Sequence, residues 1–184
     1  IWVNNAGVNQ PNKAIWKLDK ETIDRLIDID LKGTILASKV IMPIMIKQNF
    51  GQIYNVEGYG SNDAVMLGLS LYGTSKRAIT YFTEALANEV KERNYSICVG
   101  KLAPGIMITN FISTALGDGE KINLDEKTKK VYNILGDYPD VIAKFMVNKM
   151  VVNTKNNVKF TWLTNGRAAF RFMTSGFNKR DFFK

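Results

Sequence analysis

Short apolar runs alternate with longer helical patterns along this chain. Ile1, Trp2 and Val3 end in Asn4, Asn5, Ala6 and Gly7, which predicts a buried strand breaking into a tight turn. Asp19 can cap a helix from near Lys20, with Ile23, Leu26, Ile27 and Asp30 close to one face. Gly33 is expected to interrupt it, and a nearly all-apolar stretch then runs from Thr34 to about Lys47, as in a helix packed between a sheet and a subunit partner. Residues 52–56 read as a strand, and Gly58, Gly60, Ser61, Asn62 and Asp63 as a loop. A long helix follows, from Leu71 to about Glu92, with Ala78, Ile79, Phe82, Leu86 and Val90 apolar. Residues 95–102 form another strand pattern, closed by Pro104 and Gly105. Residues 140–151 look helical, and Val158, Phe160 and Trp162 alternate with Lys159 and Thr161 as in a half-buried strand. The pattern predicts a doubly wound α/β sheet of four parallel strands, starting near Ile1, Gln52, Ser96 and Lys159, with helices on both faces.

Ligands in such sheets sit beyond the carboxyl ends of the strands. Four features fall there: the Asn4 to Gly7 turn, the Gly58 to Ser61 loop, Tyr72 with Lys76, and Pro104 with Gly105. Residues four apart on a helix share a face, so Tyr72 and Lys76 point the same way. An ammonium near a phenol favours the phenolate, so Lys76 is expected to lower the Tyr72 pKa and ready it for proton transfer. Alone, such a pair is more often a half-buried tyrosine beside a solvated lysine, since short motifs match by chance. The small residues of the turn at Gly7 would let backbone approach a ligand closely.

Composition narrows the chemistry. The 184 residues fit one domain, 1–184. With no histidine, His-based metal sites and Ser–His or Cys–His nucleophiles are excluded, and no metal is expected. The single cysteine, Cys98, reads as buried and inert; it suits a reducing, cytoplasmic setting. No apolar run approaches the ~18 residues of a membrane span. The net charge of +8 comes from scattered lysines without a nucleic-acid motif, so a solvated surface is the favoured account.

Together these motifs resemble the short-chain dehydrogenase/reductase family of Rossmann-fold NAD(P)-dependent oxidoreductases. Asn4 to Gly7 is similar to the family's Asn-Asn-Ala-Gly turn after the fourth strand. Tyr72 and Lys76 match its Tyr-x-x-x-Lys, and Pro104, Gly105 and Thr109 match its Pro-Gly-x-x-x-Thr on the nicotinamide side. The resemblance implies that Tyr72 is the acid–base and that Lys76 binds the ribose hydroxyls. It also implies that Asn5, Ala6, Gly7, Pro104, Gly105, Met107 and Thr109 line NAD or NADP. Two positions depart from the pattern. Asp30 stands where the family has asparagine, and Gly58 where it has serine, so Ser61 becomes the candidate second donor. No G-x-x-x-G-x-G occurs, so the chain reads as a Rossmann domain lacking its first strands and phosphate loop, and is expected to bind cofactor weakly.

The stretch Asn55 to Ser61 and the segment Tyr132 to Met150 resemble the chlorophyll b reductase-like branch. The leading reading is hydride transfer involving a small carbonyl or alcohol, in a homo-oligomer. The alternative is a non-catalytic member that binds a nucleotide or a partner, motivated by Gly58 and Asp30. Residues 113–150 are expected to cover the substrate. The tail, 165–184, mixes Phe170, Phe172, Met173, Phe177, Phe182 and Phe183 with basic residues; packing over the pocket or a neighbour is favoured over peripheral membrane contact.

Overall fold

The computed structural model describes residues 1–109, 126–177 and 180–183. Four strands form one parallel sheet in the order β1-β2-β3-β4. They are β1 (Trp2–Asn4), β2 (Gly51–Val56), β3 (Ile97–Ala103) and β4 (Val158–Thr161), each starting within one residue of its expected position. Each pairing is parallel and the order follows the chain. The helices are α1 (Lys20–Leu26), α2 (Gly33–Gln48), α3 (Ser70–Glu92), α4 (Glu126–Leu135), α5 (Pro139–Val151) and α6 (Asn165–Met173).

Asp19 caps α1 as its position suggests, accepting from the Thr22 N–H at 2.6 Å. Gly33 does not interrupt the helix. A π-helical stretch, Ile27–Lys32, carries the chain from α1 into α2, and Gly33 takes ordinary helical angles, φ −58° and ψ −46°. A glycine weakens a helix by only ~1 kcal/mol, which tertiary packing readily overrides. β1 also departs from expectation. It pairs with β2 at the edge of the described sheet, so Ile1, Trp2 and Val3 are exposed rather than buried. Residues 113–125 of the expected substrate-covering region lie outside the described residues, as do residues 178, 179 and 184 of the tail.

Strand residues alternate between faces, and two cores result. On one face Ile53, Ile97 and Val99 pack with Met45 of α2 and Ala87 and Val90 of α3. On the other, Tyr54 and Leu102 pack with Ile142, Met146 and Met150 of α5. The sheet is therefore doubly wound, as read from the pattern.

The α2/α3 face changes character toward the carboxyl ends of the strands. Asn4, Asn55, Lys101 and Lys159 are successive register partners across all four strands. Asn4 Nδ2 donates to Asn55 Oδ1 at 2.7 Å and to Ser38 at 3.1 Å. Asn55 Nδ2 donates to Thr83 Oγ1 at 2.8 Å. Lys101 meets Glu84 at 2.6 Å, and Lys159 meets Glu57 at 2.6 Å. A polar row thus caps the apolar core and faces the region where ligands bind in such sheets.

Thr83→Val keeps the shape of the side chain but leaves the buried Asn55 amide without this acceptor. It is expected to lower stability by about 1–3 kcal/mol. Urea unfolding should show a lower midpoint with an unchanged slope.

Candidate functional site

Tyr72 is the third residue of α3, buried at the start of the helix. The loop after β2 makes room for it. A Cβ added to Gly58 would lie 2.2 Å from Tyr72 Oη and 3.1 Å from Lys76 Cγ. The tip of the tyrosine thus fills the space in which a side chain at position 58 would begin. Two further glycines bring the loop onto the helix: Gly60 takes φ +97°, and a Cβ there would lie 2.5 Å from Gly73 Cα. An L side chain would be strained there and would clash with backbone.

Lys76, one turn along α3, points toward the Gly7 turn. A Cβ on Gly7 would come 3.3 Å from Lys76 Nζ and 3.4 Å from Asp30 Oδ2. Asp30 comes from the π-helical stretch, a feature common at functional sites because it re-aims one side chain within a helix. Its Oδ2 meets Lys76 Nζ at 2.9 Å, and its Oδ1 accepts the Val8 N–H at 2.7 Å. The side chains of Asp30 and Lys76 are 0% and 7% exposed.

This ion pair overturns one expectation. Lys76 was expected to pull the Tyr72 pKa down, yet burial, and secondarily the Asp30 carboxylate, push the Tyr72 hydroxyl well above the ordinary phenol range. Desolvation disfavours the charged phenolate, and the nearby carboxylate adds a like-charge repulsion to it. The Lys76 Nζ lies 5.4 Å from the centre of the Tyr72 ring.

Ser61 is buried, but its hydroxyl is engaged otherwise than expected. Its Oγ accepts the Gly58 N–H at 3.2 Å and donates to the Lys76 carbonyl at 3.4 Å. These two contacts tie the loop after β2 to the backbone of α3.

The proposed cofactor-lining residues lie on the same edge of the sheet. Asn5 and Ala6 are exposed and Gly7 is half-buried, directly after β1. Glu57 N–H donates to the Leu102 carbonyl at 2.8 Å and ties the end of β2 to the end of β3. Gly105 takes φ +73°, and a Cβ there would lie 2.6 Å from Leu163 Cβ. Met107 and Thr109 follow, half-buried.

Three residues around the site were not singled out in the sequence. Glu57 is buried beside Gly58, accepting from Thr80 at 2.9 Å and pairing with Lys159. Gln10 is fully buried against the start of α3. Asp137 forms a bridge with Met107, and its carboxylate meets Trp162 Nε1 at 2.6 Å, Arg171 at 2.7 Å and Arg180 at 3.1 Å. That carboxylate clasps the tail to the segment after β3. Phe182 packs edge-on against Tyr138 and Phe183 stacks on Tyr132, whereas Phe170, Met173 and Phe177 stay exposed. A charged residue within a mixed loop carries no spacing signal, so only the contacts reveal these roles.

Comparison with known proteins agrees with this arrangement. Residues 1–118 match the family model described as short chain dehydrogenase. A probable chloroplastic chlorophyll(ide) b reductase of Arabidopsis thaliana is 27% identical over 176 residues, covering 95% of this chain and 34% of its own length. Human dehydrogenase/reductase SDR family member 4 is 33% identical over 131 residues, covering 71% of this chain and 46% of its own length. The chain thus spans about a third to a half of these relatives. Among solved structures, the closed form of a serine dehydrogenase complexed with NADP+ superposes with a TM-score of 0.72 at 23% identity, covering 86% of this chain and 62% of that one. With the family model matching residues 1–118 of 184, the chain belongs to the short-chain dehydrogenase family.

Proposed function

We propose that this protein is an NAD(P)-dependent oxidoreductase that interconverts a carbonyl and an alcohol, with Tyr72 as the proton donor and acceptor. The observation that carries the reading is the buried Tyr72–Lys76–Asp30 cluster beside the Gly7 turn, at the carboxyl ends of the strands. The chain fits the ribose–nicotinamide end of such a cofactor. The turn is open at Gly7, where a Cβ would crowd Lys76 Nζ at 3.3 Å. An ammonium carries three donors, and Lys76 Nζ lies 2.9 Å from Asp30 Oδ2 beside that turn. Asn5, Ala6, Gly7, Lys76, Pro104, Gly105, Met107 and Thr109 would hold the cofactor, which would supply or accept the hydride.

In the reducing direction Tyr72 gives its phenolic proton to the substrate oxygen as negative charge develops there. A hydroxyl held above the ordinary phenol range stays protonated at neutral pH, which suits it to this donor role. Lys76 stands one turn away, its Nζ 5.4 Å from the centre of the Tyr72 ring, with Asp30 holding it in place. Gly58 leaves its space to the tip of Tyr72, so no side chain at position 58 stands beside the phenol.

A second reading concerns the substrate. Chlorophyll(ide) b reductases of two plants match across 89–95% of this chain, which supports an aldehyde on a large planar molecule as one candidate. The exposed apolar side chains of Ile35, Val40 and Ile44 on α2 and Tyr81 on α3 support association with a second copy.

Tyr72→Phe in the intact enzyme removes one hydroxyl and keeps the ring. Carbonyl reduction is expected to fall ~10²–10⁴-fold with the melting temperature nearly unchanged; near-normal turnover would remove Tyr72 from the mechanism.

Gly58→Ser should not improve the enzyme. The new Cβ must displace the tyrosine tip, so steady-state assays are expected to show lower kcat, by ~10²-fold for an ångström of displacement.

Asp30→Asn removes a negative charge near Tyr72 and releases the Lys76 ammonium from its ion pair. Both changes favour the phenolate, so the Tyr72 pKa should fall. The alkaline loss of reductase activity, which follows deprotonation of the donor, is expected to move to lower pH, and the melting temperature to fall because the buried pair is broken. A pH–rate profile compared with the parent enzyme checks the direction.

A further inference from the structure

The side chain of Gln10 is fully buried, three residues beyond Gly7, although it is polar and lies in a loop. Its carboxamide makes two bonds to the segment that carries Tyr72. Oε1 accepts the backbone N–H of Tyr72 at 2.8 Å, and Nε2 donates to the Gly68 carbonyl at 2.5 Å. One end faces a donor and the other an acceptor, so only one orientation of the amide satisfies both.

The first N–H groups of a helix have no partner within the helix. The residue that would ordinarily supply one is the N-cap, here Leu69, which has no side-chain acceptor to offer. Gln10 supplies it from 62 residues away in the chain. The surrounding backbone is fitted to this contact. Gly68 takes φ +83°, and a Cβ there would lie 1.7 Å from Asn12 Oδ1, so the two loops pack directly together. Gln10 in turn is steadied by its own N–H, which donates to Asn9 Oδ1 at 2.9 Å.

We infer that Gln10 is a positioning residue for Tyr72. It ties the loop following the Gly7 turn to the first turn of α3, so that the tyrosine and the proposed cofactor turn are held in one frame. The inference rests on the role proposed for Tyr72. It acts through the backbone of the tyrosine and touches no reacting atom. Misplacing a reacting group by about an ångström can cost ~10²-fold in rate, and the backbone of Tyr72 is where Gln10 prevents that.

The test has two arms. In this chain, Gln10→Leu should speed hydrogen exchange of the Tyr72 amide by ~10-fold or more while leaving the Thr83 amide, deeper in α3, unchanged, because only the first-turn donor loses its acceptor. In the intact enzyme, Gln10→Leu should lower the single-turnover rate of hydride transfer by ~10–100-fold, with cofactor affinity changed less than ~3-fold. Combined with Tyr72→Phe, the same substitution should add less than ~3-fold, since the group it positions is gone. Unchanged exchange, a rate within ~2-fold of the parent, or a full loss persisting in the Tyr72→Phe background would each overturn the inference. Should Gln10→Leu not fold, Gln10→Glu keeps the length and the acceptor facing Tyr72; it is expected to keep the amide protected and the rate within ~5-fold, and a loss as large as that of Tyr72→Phe would overturn the inference. Full activity in Tyr72→Phe alone would overturn the proposed function instead, while the exchange measurement still reads the anchoring by itself.

Discussion

Asp30 and Lys76 meet at 2.9 Å with their side chains almost wholly removed from water, and the site is arranged around that contact. A charge buried this deeply is costly alone, and breaking such a pair by deleting one partner typically costs about 3–5 kcal/mol. The pair therefore constrains three elements at once. The π-helical stretch must deliver Asp30, α3 must deliver Lys76, and the loop after Gly7 must donate its Val8 N–H to the same carboxylate at 2.7 Å. Tyr72 inherits its environment from this arrangement. With solvent excluded and the Asp30 carboxylate nearby, its hydroxyl is held above the ordinary phenol range.

The same logic governs the sheet beneath. Ile53 and Val99 face α2 and α3 in an apolar core, and two residues further along, Asn55 and Lys101 face the same way. Strand periodicity fixes that succession. Each polar side chain in the row finds a partner across the sheet or on a helix: Asn4 with Asn55, Asn55 with Thr83, Lys101 with Glu84. A half-satisfied row would be worse than an apolar one, because a buried polar group without a partner forfeits its hydration. The row marks the boundary between the part of the domain that holds the fold and the part where chemistry can take place.

Glycine has a specific use at the boundary. Gly58 and Gly60 let the loop after β2 close onto Tyr72 and Gly73, and Gly105 lets the loop after β3 close onto Leu163. On the far side, Asp137 binds Trp162, Arg171 and Arg180 and pairs its backbone with residues 106 and 108. The tail thus has one end fastened beside the Met107 segment, while Phe177, 90% exposed, stands free of the core.

Periodicity and short motifs were enough to determine the four parallel strands, the long helix carrying Tyr72 and Lys76, and the family to which they belong. These depend on local alternation and on residue types at fixed spacing, both of which a linear chain displays directly. The helix α4 was less legible, because its three lysines and one glutamate leave only a narrow apolar face around Ile134. Several features were decided only by the tertiary structure. The exposure of Ile1, Trp2 and Val3 depends on which strand lies at the edge. The direction of the Tyr72 shift depends on how deeply packing buries its hydroxyl, and secondarily on Asp30 being brought near it from some forty residues away in the chain. Ser61 lies three residues past Gly58, a spacing that suggested a donor, yet its hydroxyl turns to the Lys76 carbonyl. Gln10 has no periodicity and no motif, and its role exists only because folding brings its carboxamide to an uncapped helix start. Spacing reports what a residue can reach along its own element, whereas burial and partners between distant elements are set by how those elements pack.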